Sequence, residues 1–426
     1  METAVAAPPL SVTSETAPLR QVVVHTPGEE MALVSPENKD ELLFDDLLFV
    51  EEAREEHATL VRLFEAAVGP TDVPGGAVLQ LSALLREAFD GADARESFVD
   101  LLVRFLPERN FEAYEAELKA LDPDALHRFA LTGQAPFPVS AAPLPNLLFT
   151  RDLAAVVGDL VLLSHAAKPA RKPESAVIQT VFRHHPRFAG LGDRVVELPA
   201  DVTFEGGDLL VVSDRVVLIG QSERTSLGGV MAAAQVLLDR TPVEHVLTVN
   251  LPKARYCMHL DTVFTFADDD TCVVFPPIIE GMTGHVLHFE AGSEPGGADG
   301  GFRMRTLPTV RAALEEVTGR SYTFVPCGGT DPVRQRREQW TDGANLFAVR
   351  PGLVVGYSRN RATYGALADA GFHVVDAESF LEFYGDAAAT TRERIAVRLP
   401  GNELSRGRGG PRCMTMPLVR TRNAGL

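Results

Sequence analysis

Four times in the later part of the chain, an acidic or amide residue opens an apolar run, a tight turn follows, and a second apolar run closes the unit. The segments are Asp152-LAAVVGDLVLLS, Asp208-LLVVSDRVVLIG, Asp261-TVFTFADDDTCVVF and Asn345-LFAVRPGLVVGY. Each reads as a β-hairpin with a short turn. The first three start at near-equal intervals, and helix-like stretches such as Thr225–Arg240 and Thr306–Thr318 separate them. A unit of this kind cannot bury its apolar face alone, so repeated units stack around a shared core. A fifth unit forms if Cys413-MTMPLVR pairs with Gln21-VVVH from the other end of the chain. The residues that open the hairpins then point to one centre.

Before the repeat the texture is helical, from about residue 41 to 133. Val50, Ala53, His57, Leu60 and Phe64 recur at helical spacing, as do Leu81, Leu84, Leu85 and Phe89, and then Phe111, Tyr114, Leu118 and Leu121. Gly69-Pro70, Pro74-Gly75-Gly76, Gly91, Pro107 and Pro123 break this stretch into four or five short helices. Residues 1–19 read as a flexible or loosely attached arm, leaving 20–426 as the working unit.

Composition narrows the function. The 426 residues are 45% apolar and carry a net charge of −18, which speaks against nucleic-acid binding and against an anionic membrane surface. No stretch approaches the roughly 18 apolar residues of a membrane span. The N-terminus lacks the basic and apolar regions of a secretory signal. The cysteines Cys257, Cys272, Cys327 and Cys413 show no paired spacing, so free thiols and a reducing, cytoplasmic compartment are expected. Cys257, Cys272 and Cys327 read as small buried apolar residues.

Cys413 is different, because it ends the basic glycine-rich loop Gly407-Arg-Gly-Gly-Pro-Arg-Cys413. The repeat gathers Asp152, Asp208, Asp261, Asn345 and Cys413, and brings Glu205 of FEGGD and His259 of MHLD with them. His259 and Asp261 are two apart and share a face of an extended segment. A cysteine, a histidine and an orienting carboxylate make an activated thiolate. Further carboxylates beside the attacked carbon would repel the oxyanion of peptide or ester hydrolysis. A guanidinium needs them, since its planar fork of N–H donors matches carboxylates.

The chain resembles the arginine deiminases of the guanidino-group-modifying superfamily over nearly its whole length. The resemblance rests on PENKDELLFDD (36–46), PLPNLLFTRD (143–152), FEGGD (204–208), GQSERTS (220–226), MHLDTVF (258–264), REQWTDGANLFAVRPGLVVGYSRN (337–360) and ELSRGRGGPRCMTMPLVR (403–420). It implies an α/β fold, a five-bladed pseudo-symmetric α/β propeller of ββαβ-type units, with a helical insertion at about 48–133. It implies hydrolysis of L-arginine to L-citrulline and ammonia through a covalent intermediate on Cys413. His259 is then the general acid and base, Glu205 orients it, and Asp152 and Asp261 clamp the guanidinium. Arg171, Arg224 and Arg408 are placed at the substrate carboxylate, with Asn146, Phe149 and Asn360 around the amino-acid end. The resemblance implies no metal or organic cofactor, a small-molecule substrate as the binding partner, and a homodimer or dimer of dimers. It also implies that the loop 406–412 closes over the site. One departure stands out: Pro411-Arg412 precedes the cysteine where the family usually carries Gly-His. A dihydrolase that removes both nitrogens, an amidinotransferase and a non-catalytic arginine binder are the alternatives.

Overall fold

The computed structural model describes residues 10–106, 111–139, 141–281, 285–292, 302–385 and 390–420. Its strands form five sheets of mixed direction. Each of the four hairpins read from the sequence is present, as Ala154–Val157 with Leu160–Leu163, Leu209–Ser213 with Val216–Gln221, Phe264–Asp268 with Thr271–Val274, and Phe347–Arg350 with Leu353–Tyr357. In each, a later strand joins the second hairpin strand in parallel: Val195–Glu197, His245–Asn250, Thr323–Pro326 and Ile395–Leu399 respectively. A parallel neighbour needs a crossover connection, and the helices Lys172–His184, Leu227–Arg240, Val310–Thr318 and Arg361–Asp369 lie in those connections.

The fifth sheet joins the two ends of the chain. Met416–Arg420 runs antiparallel to Leu19–Val24, and Val78–Gln80 adds in parallel. The helix Val50–Val68 is therefore the crossover of this unit, and its buried face carries Ala53, His57, Leu60, Leu63 and Phe64. After it, Leu81–Ala88, Ala92–Phe105, Glu115–Lys119 and Pro123–Thr132 form a helical bundle. Phe89 and Phe98 meet edge to face within it, ring centroids 5.2 Å apart. Pro123–Thr132 shows why such short helices hold. Asp122 caps its start by accepting from Ala125 N at 2.8 Å, and Gly133 ends it with φ of 71°.

Two expectations are corrected. Residues 10–19 are not a loose arm: Leu10 is buried, Ser11–Val12 pairs in parallel with Met416–Arg420, and Glu15 N donates to Val211 O at 2.7 Å. Their short apolar and small polar residues fill the edge of a sheet, while residues 1–9 fall outside the described set. The stretch Thr306–Thr318 is not helical throughout. Phe302–Leu307 forms an edge strand against Val286–Ala291, and the helix starts at Val310, capped by Thr309 on Ala312 N at 3.1 Å. Among the described residues, no helix is long and apolar enough to cross a membrane.

Candidate active site

The residues that open the hairpins meet as the repeat predicts, and they tie one another down. Short 3-10 turns at Thr150–Asp152, Gly206–Asp208 and Leu260–Thr262 deliver the three aspartates just before their strands. Asn345 Nδ2 donates to Asp261 O at 3.1 Å and to Cys413 Sγ at 3.2 Å, while its Oδ1 accepts from Cys413 N at 3.1 Å. Asp208 works in the same manner on backbone, accepting from Leu260 N at 2.8 Å and from Ser222 Oγ at 2.6 Å. Burial pushes the Asp208 carboxyl up to about 7, against the pull of His259 and its hydrogen bonds. Asp208 is thus a brace for the turn that carries His259.

Cys413, His259, Glu205, Asp152 and Asp261, the residues expected to carry the chemistry, are all buried. His259 Nε2 donates to Glu205 Oε2 at 2.8 Å, and Nδ1 lies 3.6 Å from Asp152 Oδ1. Burial opposes a charged imidazole, but Asp152, the bond to Glu205 and Asp208 outweigh it, and the His259 pKa is pushed up to about 9. Glu205 is held well below the usual carboxylate range: burial opposes ionisation, and Arg224, His259 and Arg171 overcome it. Cys413 Sγ stands 3.7 Å from Asp261 Oδ2. Burial, then Asp261, Asp152 and Asp342, push its thiol well up, with Arg412 opposing them. The two shifts favour a neutral thiol and a protonated imidazole on the wall of the same cavity.

Asp152, Glu205 and His259 place one donor atom each within 4.8 Å of the others. A metal would need the imidazole neutral, whereas these carboxylates keep it charged. The cluster suits a proton donor better than a metal ligand set. Glycine at 207 is what admits the imidazole: a Cβ there would lie 2.5 Å from Asp152 Oδ1 and 2.9 Å from the His259 ring. Gly207→Ala is expected to lower activity about 100-fold and stability by about 2 kcal/mol, through overpacking. Steady-state rates and a denaturation midpoint measure both, and a fully active, equally stable variant would contradict this placement of the ring.

Beyond the thiol, the cavity wall includes Asn146, Phe149, Arg171, Arg224 and Arg408, together with Leu43, Arg255, Met258 and Thr262. Arg224 reaches Glu205 at 3.5 Å and leaves its buried Nε without a partner. Arg408 lies 3.6 Å above the Trp340 ring and takes φ of 64°, a left-handed conformation uncommon outside glycine. With Gly407 it closes one side of the cavity. Arg255, whose Nη2 donates to Leu43 O at 2.6 Å, is a cation that the sequence reading missed, because a lone arginine before a cysteine has no signature.

Two residues expected at the substrate have protein partners in this structure. Arg171 places Nη1 on Asp152 Oδ2, its Nη2 lies 2.8 Å from Glu174 Oε2, and Nη2 also donates to Asn146 O at 3.2 Å. Asn360 lies outside the cavity wall, with Oδ1 accepting from Thr341 Oγ1 at 2.5 Å and Nδ2 donating to Thr341 O at 2.9 Å. Its place at the start of helix Arg361–Asp369 makes it a local brace.

This constellation invites comparison with known proteins. A family model described as arginine deiminase matches residues 40–420. An arginine deiminase of Listeria monocytogenes serotype 4b is 33% identical over 96% of this chain and 98% of its own. One of Rhodococcus erythropolis is 34% identical over 97% and 98%. Among solved structures, the N-terminal domain of ArgZ, an arginine dihydrolase from cyanobacteria, aligns with a TM-score of 0.52 at 15% identity, covering 94% of this chain and 98% of that one. A dimethylarginine dimethylaminohydrolase (DDAH) from Pseudomonas aeruginosa aligns with a TM-score of 0.50 at 14% identity, covering 94% and 99%. The structural likenesses show a shared α/β fold, and the sequence matches over nearly the full length are decisive: the chain belongs to the arginine deiminase family.

Proposed function

We propose that the protein hydrolyses L-arginine to L-citrulline and ammonia, with Cys413 as nucleophile. The observation that carries this reading is a cysteine sulfur set against two separate carboxylates, Asp152 and Asp261, beside a histidine that holds its proton. Each aspartate keeps one oxygen off its arginine: Asp152 Oδ1 is buried without a hydrogen-bond partner, and Asp261 Oδ1 faces the sulfur at 4.0 Å. A planar cation between them satisfies both.

Binding the guanidinium cancels the negative field that raises the Cys413 thiol, so the substrate itself favours the thiolate, and the thiol proton, which the already protonated His259 cannot take, goes to solvent and returns when the product leaves. The sulfur attacks the central carbon and a C–S bond forms. His259 Nδ1 passes its proton to one terminal nitrogen, the C–N bond breaks, and ammonia leaves. Glu205 holds the imidazole through Nε2 during the transfer. Water then adds to the carbon while His259 takes its proton. The C–S bond breaks, citrulline forms, and the proton released in the collapse converts ammonia to ammonium. At the far end, Arg224, Arg255 and Arg408 attract the substrate carboxylate, whereas Arg171 holds Asp152 in place.

The five sheets support a reading as five blades about this centre, because each sheet supplies one residue at the same point of its hairpin. Residues 20–426, with the helical insertion, form the catalytic unit in this reading. A homodimer or dimer of dimers in the cytoplasm, without metal or cofactor, completes it by analogy with the family. Time-resolved release of citrulline and ammonia from L-arginine tests the reaction, and equal amounts are expected. Ammonia in excess, with ornithine accumulating, would replace it by the dihydrolase. A folded protein silent on arginine would overturn it.

The raised thiol makes a separate prediction. Iodoacetamide labelling of Cys413 in the substrate-free protein should be slow near neutral pH and still accelerating above pH 9, the ordinary thiol value. Mass spectrometry of the labelled peptide reads it, and full-rate labelling at neutral pH would contradict the resting state described here.

A further inference from the structure

Arg412, next to the nucleophile, is buried with all five guanidinium N–H donors engaged. Nε and Nη2 grip Glu15 at 3.1 and 3.0 Å, and Nη2 also donates to Leu209 O at 2.8 Å. Nη1 donates to Asp261 Oδ2 at 2.8 Å and to Gly207 O at 3.4 Å. Glu15 is the only one of these partners from the N-terminal segment, and it is fixed in turn: its N donates to Val211 O, and its Oε1 accepts from Val211 N at 3.3 Å. Burial opposes its ionisation, yet Arg412, Arg151 and Arg420 hold its pKa down at about 2. Two anions, Glu15 and Asp261, thus share one cation, with Arg151 and Arg420 beside them.

The sharing matters for the cavity. A guanidinium paired with a single carboxylate settles on both of its oxygens. Glu15 takes that bidentate place on Arg412, which leaves only the Nη1 edge for Asp261, so Arg412 engages Oδ2 of Asp261 and not Oδ1. We propose that Glu15 is a positioning residue for substrate binding: by holding Arg412 it keeps that guanidinium off Asp261 Oδ1, the oxygen beside the Cys413 sulfur, and leaves it to the incoming guanidinium, so that the segment at residues 10–16 completes the site. This rests on the reading of Asp261 as a substrate clamp, and assigns the task of keeping it available to a residue far off in sequence. Without the Glu15 carboxylate, Arg412 keeps only Asp261 as an anionic partner, closes onto both its oxygens and competes with substrate for them.

The test measures L-arginine binding by calorimetry to a Cys413→Ser protein, with and without Glu15→Gln, which conserves shape and removes charge. Glu15→Gln is expected to weaken arginine at least about tenfold, and in the protein with Cys413 intact to raise KM by a like factor while kcat falls less than threefold, by rough expectation. Loss of a merely structural contact would lower the melting temperature and leave Kd and the KM-to-kcat split unmoved. Affinity within about twofold of the parent, in a folded variant, overturns the proposal. Should Glu15→Gln fail to fold, Glu15→Asp replaces it: the shortened carboxylate cannot reach both Arg412 donors, so weaker arginine binding supports the proposal and unchanged binding overturns it. Failure of the wild-type protein to release citrulline would overturn the hydrolytic reading alone, since the calorimetric comparison needs no turnover. No arginine binding by the Cys413→Ser protein would overturn both.

Discussion

Cys413→Ala is expected to lower citrulline formation by about 10⁴-fold or more, while the variant still folds and binds L-arginine. The size follows from the chemistry. Without sulfur the only nucleophile is water, and a guanidinium carbon, stabilised by delocalisation over three nitrogens, resists direct attack. The carboxylates and cations that surround the substrate remain, so binding survives. The side chain removed is small and buried, and its backbone N–H still donates to Asn345 Oδ1. Steady-state citrulline assays and calorimetry measure the two halves separately. Residual activity within tenfold of wild type would place the nucleophile elsewhere.

His259→Asn is expected to cost about 10³-fold in kcat with a smaller change in arginine affinity. Asparagine keeps hydrogen-bonding capacity toward Glu205 but cannot carry the proton that ammonia needs to leave. The imidazole is charged in the folded protein, since its pKa stands near 9, so one proton is stored beside the leaving group at neutral pH. The same shift has a sign for stability. A histidine raised above its ordinary value near 6.5 contributes stability that is fully present below that pH and is lost as pH rises through about 9. Wild-type protein should therefore lose more stability than His259→Asn between those two values, by about 3 kcal/mol at most. Denaturant titrations at the two pH values check it.

Much of this site was legible in the sequence because the repeat does two jobs. Each hairpin fixes its register by apolar alternation and turn chemistry, and the residue just before it inherits a place at the centre. That is why Asp152, Asp208, Asp261, Asn345 and Cys413 could be gathered without coordinates, and why Glu205 and His259, carried in the adjoining turns, arrived with them. The strand Val78–Gln80 was hidden, because three residues between glycine-rich and helical segments give no periodicity to read. Glu15 was hidden for a different reason. Its contacts lie at sequence separations that no local pattern encodes, and the surrounding Ser and Thr residues gave the segment the look of a loose arm.

The arginines mark the boundary most clearly. Arg171, Arg224, Arg255, Arg408 and Arg412 are alike in sequence, yet their tasks differ with the carboxylates that reach them first. Arg171 meets Asp152 and Glu174, and Arg412 meets Glu15 and Asp261, so both are buried inside charge networks. Arg408 meets a ring and a backbone carbonyl, with the exposed Asp45 as a carboxylate neighbour at 3.6 Å, and stays at the cavity wall. Charge alone does not sort them, because the deciding partners are remote along the chain.

Rapid-quench mass spectrometry of the protein mixed with L-arginine tests the central claim most directly. The expected result is a transient adduct on the peptide containing Cys413, equal in mass to arginine less ammonia, which decays as citrulline appears. Turnover with no adduct, an adduct on another residue, or an adduct of the amidino group alone would contradict the mechanism.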